Sequence, residues 1–320
     1  MPWAGLCILQ ASGSQPVQFA EDFLQDTNSF PEDRDGTAWG EETLAIGFLG
    51  GPYVFHGLNT AQTTAINRRF SDLVCTLPDK ETPAIDTHIY RLPESLFKSI
   101  DTRDWEYRLD FDYQSTYLRI AGMRFIAWLQ LEPHIRAWMW TCDDQNLIAN
   151  SAFENLFRVI VAYQLLSRGG MVLHSAGLAE EERAWLFIGR SGAGKSTISR
   201  LGEKTGLTIL SDDMNAIVLQ DDVYMTEQLP FAGEHGQTAL TRGKFPVQAV
   251  YYLQKSSQNR LEETPAAKRL AELMVCSPFV NTDPYRYADL ARNLSALRNR
   301  ISGGKLEFHL DGGFEKLLNR

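Results

Sequence analysis

Apolar and polar residues alternate with a period of two between residues 105 and 141, which is typical of half-buried strands. Tyr107, Leu109 and Phe111 are separated by charged residues, and the runs TYLRI, MRFIAWLQL and IRAWMW follow. The pattern predicts an antiparallel meander. Upstream of it, we expect a short strand at Tyr53-Val54-Phe55 and a helix over residues 61–75.

A different pattern begins near residue 151. Ser151 and Glu154 have the spacing of a capping box, and Gly169 is suited to a helix C-terminus, so the sequence predicts a helix between them. Another helix is expected over residues 194–205. Two more should begin at Thr264-Pro265 and Asp283-Pro284, because proline is favoured at the first helical position. The predicted strands are MVLHSAG, AWLFIG, LTILS, AIVLQ, VYMTE, QAVYYL and KLEFHL.

This alternation of strands and helices predicts an α/β fold in the second half of the chain. The 320 residues are enough for two domains. We expect an acidic, weakly ordered segment over residues 1–45 and an N-terminal α+β domain over 46–150, which is mixed but mainly antiparallel. A catalytic domain should then occupy residues 151–320.

Charge and cysteine usage narrow the functional class. The net charge is −9, and residues 1–50 contribute eight acidic residues against one basic residue, so a nucleic-acid partner is not expected. Four widely spaced cysteines favour a reducing cytoplasm over a disulfide scaffold. We expect a cytoplasmic protein without a membrane span, because no apolar run approaches about 18 residues and the N-terminus has no signal-peptide pattern.

The strongest chemical signal is Gly-Arg-Ser-Gly-Ala-Gly-Lys-Ser at residues 189–196, which fits the phosphate-loop pattern GxxxxGK[ST]. A predicted strand precedes it and a predicted helix follows. Backbone N–H groups of such a loop, with the helix N-terminus, bind phosphate oxygens. The lysine adds positive charge at the outer phosphates, and the serine offers a hydroxyl to Mg²⁺. The nucleotide-binding residues are expected to be Gly189, Arg190, Ser191, Gly192, Ala193, Gly194, Lys195, Ser196 and Thr197.

Carboxylates for chemistry should follow the next apolar strand, LTILS. Asp212 and Asp213 stand there, 17 residues beyond Lys195, a gap that fits one helix and one returning strand. One aspartate would hold Mg²⁺ and the other would accept the proton of an attacking hydroxyl. His174 lies in the strand before the loop strand and is expected near the phosphates. A strand-end turn and an ordinary core histidine are the structural alternatives.

The segment LHSAGLAEEERAWLFIGRSGAGKSTISRL, followed by LTILSDDMNAIV, resembles the HPr kinase/phosphorylase catalytic domain and related kinases. A looser similarity continues through LPFAGEHG and FPVQAVYYLQK, so the resemblance covers roughly residues 165–315. It implies a P-loop kinase core of the phosphoenolpyruvate carboxykinase type. The Glu-Ile-Arg-Gly signature of HPr kinases does not occur, so neither HPr as acceptor nor the reverse phosphorylase reaction is implied.

The resemblance implies an ATP- and Mg²⁺-dependent kinase that transfers the γ-phosphate to a hydroxyl, with a serine of a peptide or protein as the leading acceptor. By position, Lys195, His174, Asp212 and Asp213 would be catalytic. We expect Asp213 and Ser196 at the metal and Asp212 as the base. A small-alcohol kinase and an acceptor-independent regulatory ATPase remain alternatives.

The residues that bind the acceptor are expected downstream of the aspartate pair. Polar and charged residues there could form an acceptor loop or an ordinary solvated connection. The N-terminal meander would recognise the acceptor or an accessory protein, or form a homo-oligomer contact. The candidate acceptor-loop residues are Glu234, His235, Arg242 and Lys244.

Overall fold

The computed structural model describes residues 31, 34–79, 82–94, 109–122, 124–144, 147, 152–231 and 243–318. These residues form a mixed α/β fold with two mixed sheets and five helices. They divide into two compact units, one ending at Val161 and the other beginning at Ala162. No described helix combines the length and apolar character needed to cross a membrane.

The first unit contains a nine-stranded sheet. Its strand order is β4-β2-β3-β5-β9-β8-β7-β6, with β1 paired to β5. The elements up to the helix at the division between the units are β1 (Thr37–Ala38), β2 (Glu42–Ile46), β3 (Tyr53–Leu58), α1 (Thr60–Arg69), β4 (Val74–Cys75), β5 (Ile85–Arg91), β6 (Leu109–Tyr113), β7 (Tyr117–Gly122), β8 (Phe125–Gln130), β9 (Arg136–Thr141) and α2 (Ala152–Ser167).

The predicted meander is present as β6 to β9, which pair antiparallel in sequence order. The parallel pairs β3–β5 and β5–β9 make the sheet mixed. Strand β5 was not predicted, although Ile85, Thr87 and Ile89 are buried at alternate positions. The segment expected to be weakly ordered lies largely outside the described residues, and its described end contains β1 and most of β2.

The predicted helix over residues 61–75 is wrong at its C-terminal end. Helix α1 ends at Arg69, and Phe70 caps it by donating its N–H to the Ile66 carbonyl at 2.8 Å. Ser71 and Asp72 follow, and residues of these types favour turns because their side chains compete for backbone hydrogen bonds. Val74–Cys75 then form β4 and pair with β2.

Helix α2 buries an aromatic surface within the first unit. Phe153 and Phe157 contact Phe55 with ring centroids 4.6 and 5.3 Å apart, and both also contact Phe70. Each large ring removes much apolar area from water, so this cluster stabilises the first unit. Ser151, the expected cap of this helix, lies outside the described residues.

The second unit contains an eight-stranded sheet in the order β11-β10-β13-β14-β15-β17-β16, with β12 paired to β10 and β11 also paired to β15. Short 3-10 helices lie at Val280–Thr282 and Phe314–Leu317. The other elements are β10 (Met171–Glu180), β11 (Arg183–Ile188), α3 (Lys195–Lys204), β12 (Thr208–Ser211), β13 (Met214–Gln220), β14 (Val223–Gln228), β15 (Phe245–Lys255), β16 (Arg260–Glu262), α4 (Ala266–Val275), α5 (Tyr287–Arg300) and β17 (Ser302–Phe308).

Helix α3 packs on one face of this sheet. A buried cluster joins Ile198 and Leu201 of the helix to apolar side chains of β10, β11, β15 and β17. The predicted strands AIVLQ and VYMTE are present in β13 and β14, which pair as a hairpin, and the turn residues Asp221 and Asp222 have φ angles of 48° and 64°. Positive φ at both turn positions fits the right-handed twist of a hairpin.

The predicted start of α5 at Asp283-Pro284 is wrong, because the helix begins at Tyr287. The fully buried side chain of Asp283 instead stabilises the turn that precedes the helix. One carboxylate oxygen accepts the backbone N–H of Tyr285 at 2.8 Å. The other accepts from the Tyr163 hydroxyl and from the Arg286 guanidinium, both at 2.9 Å.

We expect Asp283→Ala to lower the free energy of unfolding by about 3–5 kcal/mol, because Arg286 is buried and loses this carboxylate. Tyr163→Phe removes one hydrogen bond to the same carboxylate and should cost about 1 kcal/mol. Urea denaturation of both variants measures the difference. Equal costs would show that the carboxylate does not support the buried arginine.

Candidate functional site

The phosphate-loop sequence connects β11 directly to α3. Ala184 to Ile188 are buried, the loop starts at Gly189, and helix α3 begins at Lys195. Gly192 and Gly194 have φ angles of 78° and 109°, which side chains other than glycine rarely adopt. A Cβ atom on Gly194 would lie 2.5 Å from the Phe308 ring. The loop conformation therefore depends on glycine, as the motif predicts.

Lys195 lies buried beneath this loop. Its Nζ donates hydrogen bonds to the carbonyl oxygens of Gly189 at 2.9 Å and Arg190 at 3.5 Å. Both acceptors are uncharged, so they hold the ammonium without neutralising it. Its positive charge is thus available to an anion bound at the loop. Among the other loop residues, Ser196 and Thr197 are half-buried in the first helical turn, whereas Arg190 and Ser191 are exposed.

The aspartate pair occupies the short connection between β12 and β13. Asp212 and Asp213 are both buried. The Ser211 hydroxyl accepts the backbone N–H groups of Asp213 and Met214, each at 3.1 Å. The Asp213 carbonyl accepts the N–H of Ser175 in β10 at 2.9 Å. The first two bonds close the turn between β12 and β13, and the third holds this turn against β10.

His174 and Asp213, two of the predicted site residues, are in contact. His174 Nε2 lies 3.2 Å from Asp213 Oδ1. The second carboxylate oxygen, Asp213 Oδ2, is buried and has no hydrogen-bond partner in the part of the chain that the structure describes. A buried carboxylate oxygen without a partner is unfavourable. It is therefore a position where a metal ion or a donor from a ligand would be stabilising.

Strand β10 lies between this pair and the phosphate loop. Ser175 is opposite Ile188, the residue before the loop, and on its other edge it bonds to Asp213. Adjacent strands lie about 5 Å apart, so the Asp213 and Ile188 backbones are about 10 Å apart. By strand alternation His174 points to the same face as Ala176, which packs in the cluster containing α3.

Of the predicted acceptor-loop residues, Lys244 is the one that the structure describes, and it lies away from the aspartate pair. Glu234, His235 and Arg242 lie outside the described residues. Lys244 is exposed and donates to the Gln220 side chain at 3.1 Å. Gln220 ends β13, so at about 3.3 Å per residue it lies about 20 Å from the aspartate end of that strand.

Sequence reasoning missed Lys255, the last residue of β15. The position that a Cβ would take on Gly194 lies 3.3 Å from the Lys255 Cε atom. Lys255 therefore brings a second, exposed ammonium group beside the start of α3. A lysine after the apolar run QAVYYL is an ordinary strand end in sequence, and only the parallel pairing of β15 with β11 brings it to the loop.

Sequence reasoning also missed Asn215. This side chain is fully buried and donates from Nδ2 to the carbonyl and the hydroxyl of Ser175, at 2.8 and 2.9 Å. A Cβ on Gly177 would lie 2.4 Å from Asn215 Oδ1. Asn215 and Gly177 therefore hold β10 and β13 in register beside His174.

The residues present fit a magnesium ion. Asp213 Oδ2 and the Ser196 hydroxyl are oxygen donors, which Mg²⁺ prefers. No group of three or more His, Cys, Asp and Glu side chains forms a metal cage among the residues that the structure describes. Mg²⁺ is commonly held by one or two carboxylates together with substrate phosphates, so such a cage is not required.

No family model matches the chain, and no curated protein matches it significantly. The candidate function therefore rests on the residues and contacts of the second unit.

We expect Gly194→Ala to destabilise the loop more than Gly192→Ala. Both positions have positive φ, which costs a residue other than glycine roughly 1–2 kcal/mol. A Cβ on Gly192 meets no atom within 4 Å, whereas one on Gly194 collides with Phe308. Urea denaturation and amide hydrogen exchange in the first turn of α3 measure the two effects. Equal losses would contradict the close approach to Phe308.

Proposed function

We propose that the chain is an ATP- and Mg²⁺-dependent kinase that transfers the γ-phosphate to a hydroxyl group. We further propose that its second unit is a P-loop kinase core of the HPr kinase type. The observation that carries the proposal is Asp213, which contacts His174 through one oxygen and whose buried second oxygen has no hydrogen-bond partner among the described residues. This carboxylate lies across β10 from the phosphate loop.

The loop side supports binding of a nucleoside triphosphate. The N-terminus of α3 and the backbone N–H groups of a glycine-rich loop attract phosphate oxygens. Lys195, beneath the loop, and Lys255, beside it, add two positive charges. A phosphate chain that carries several negative charges matches this arrangement better than an uncharged ligand would.

The aspartate side supports phosphoryl transfer to an alcohol. Asp213 and Ser196 would hold Mg²⁺, which would neutralise charge on the outer phosphates when bound. Asp212 would accept the proton of the acceptor hydroxyl while the oxygen of that hydroxyl forms a bond to the γ-phosphorus of ATP. The bond from that phosphorus to the bridging oxygen breaks, and ADP leaves. His174 would orient Asp213 through the observed contact.

A serine of a peptide or protein is the acceptor that we propose. A neutral hydroxyl benefits from a nearby carboxylate base, whereas a phosphate or carboxylate acceptor needs positive charge beside it. The residues opposite the loop are the acids Asp212 and Asp213, both buried. A small alcohol has the same chemistry and remains the second choice.

Lys195→Ala should lower the rate of ADP release by about 10²–10³-fold or more, because it removes the cation that acts on the developing phosphate charge. ADP release is measured with serine-containing peptides, with small alcohols and without acceptor. Lys204→Ala is the matched control, since Lys204 is exposed at the other end of the same helix.

Acceptor-dependent ADP release that Lys195→Ala abolishes supports the kinase. Release that is the same without acceptor would instead indicate an ATPase, and no release under any condition would contradict the proposal. The product bond identifies the acceptor class, because a phosphate ester resists hydroxylamine and an acyl phosphate reacts with it.

Replacing each aspartate by asparagine should separate the two roles. Asp213→Asn should raise the Mg²⁺ concentration needed for half-maximal rate, because it removes a charged ligand. Asp212→Asn should keep ATP and Mg²⁺ binding but slow the chemical step by about 10²–10⁴-fold, the usual contribution of a general base. Mg²⁺ titrations and single-turnover rates measure the two effects.

Asp221→Asn is the control for these substitutions. Asp221 is exposed in the β13–β14 turn at positive φ, a conformation that asparagine tolerates. Near-normal rates in both Asp212→Asn and Asp213→Asn would show that the pair serves only as a strand connection.

A further inference from the structure

A recess lies on the face of the second sheet opposite α3. It is formed by the end of β11, the middle of β15, the helices α4 and α5, and the start of β17. Successive side chains of a strand point to opposite faces of the sheet. Phe187 and Ala249 pack in the cluster containing α3, so Ile188 and Val250 lie on the opposite face, in the recess. The recess is lined by Ile188, Val250, Tyr252, Arg269, Glu272, Leu273, Leu297, Arg298, Ile301 and Gly304.

Two arginines face this recess from different helices. Arg269 of α4 donates from Nη2 to the Ile301 carbonyl at 2.7 Å. Arg298 of α5 donates to the Ala266 carbonyl at 3.3 Å and to the Asn299 side chain at 2.8 Å. All of these acceptors are uncharged. Within the described part of the chain, neither guanidinium has an ion-pair partner within 4.0 Å.

The positive charges of Arg269 and Arg298 repel each other. Burial, and then the charge of Arg298, lower the pKa of Arg269 from its ordinary value. Two like charges in a partly dehydrated position raise the free energy of the folded protein. A bound anion between them would remove this cost and supply the acceptors that a guanidinium pairs with best.

Other charges near the recess give a net positive balance. Glu272 lines it and is the one acidic residue among the lining residues. The Lys268 ammonium adds a third cation, 5.1 Å from the centroid of the Tyr252 ring. Three cations against one carboxylate favour an anionic ligand.

Gly303 makes room for the Arg269 guanidinium. A Cβ on Gly303 would lie 2.9 Å from Arg269 Nη2. Gly304 lines the recess where β17 pairs with β15. The absence of a side chain at Gly303 lets the Arg269 guanidinium lie against the strand backbone.

We propose that this recess binds a phosphate-class oxyanion, as inorganic phosphate or as the phosphate group of a small ester, through Arg269 and Arg298. The proposal does not depend on the kinase function, because none of its residues belongs to the loop or the aspartate pair. An alternative is that the arginines only tie α4 to α5 through the carbonyls of Ile301 and Ala266.

The test is calorimetric titration of the full chain with inorganic phosphate, carried out in a Lys195→Ala background so that the phosphate loop contributes little. Arg269→Gln and Arg298→Gln should each weaken phosphate binding about tenfold or more, as expected for a lost charge-assisted hydrogen bond. Arg292→Gln is the control, since Arg292 is an exposed arginine of α5 paired with Asp289.

A structural role alone would lower the melting temperature without a selective loss of phosphate affinity. If Arg269→Gln fails to fold, two other variants test the same site. They are Arg298→Gln, which replaces a half-buried arginine, and Arg269→Lys, which preserves the charge. Titrations with phosphoserine and glycerol phosphate distinguish an ester ligand, which would bind more tightly, from free phosphate. Equal phosphate affinity in Arg298→Gln and the Arg292→Gln control, or no phosphate binding at all, would overturn the proposal.

Discussion

The hydrogen bonding of β10 along both of its edges is the constraint on which the candidate site depends. Ser175 is fully buried, lies opposite Ile188 on one edge, and donates to the Asp213 carbonyl on the other. The strand thus joins the start of the phosphate loop to the aspartate pair. A slip of one residue would move His174 to the other face of the sheet, away from Asp213. The register of β10 therefore decides whether these side chains can meet.

Buried polar groups reinforce that register. Asn215 donates twice to Ser175, and Gly177 leaves room for the Asn215 side chain because it has no Cβ. Ser211 fixes the following turn by accepting two backbone N–H groups. Each of these groups would be costly if it lost its partner in the core, so alternative pairings are disfavoured. Stability and site geometry consequently depend on the same few hydrogen bonds.

Local patterns predicted much of this arrangement, and two of the failures have a common cause. The loop glycines, the β6–β9 meander and the β13–β14 hairpin follow from neighbouring residues, and the structure contains each of them. The start of α5 was misplaced because Asp283 bonds to Tyr163, which is remote in sequence. Lys255 could not be found for the same reason, since parallel pairing of β15 brings it to the loop. Local sequence contains little information about either contact.

For the kinase that we propose, the distribution of charge around β10 gives the strongest argument about the acceptor. Lys195 and Lys255 lie on the loop side, whereas the buried carboxyl groups of Asp212 and Asp213 lie on the other. An anionic acceptor placed next to Asp212, the proposed base, would be repelled, and low polarity around this buried group strengthens that repulsion. A neutral hydroxyl would avoid the repulsion and could donate its proton to a carboxylate. The phosphate chain and the nucleophile would then approach from opposite sides of one strand, which favours an alcohol over an anionic acceptor.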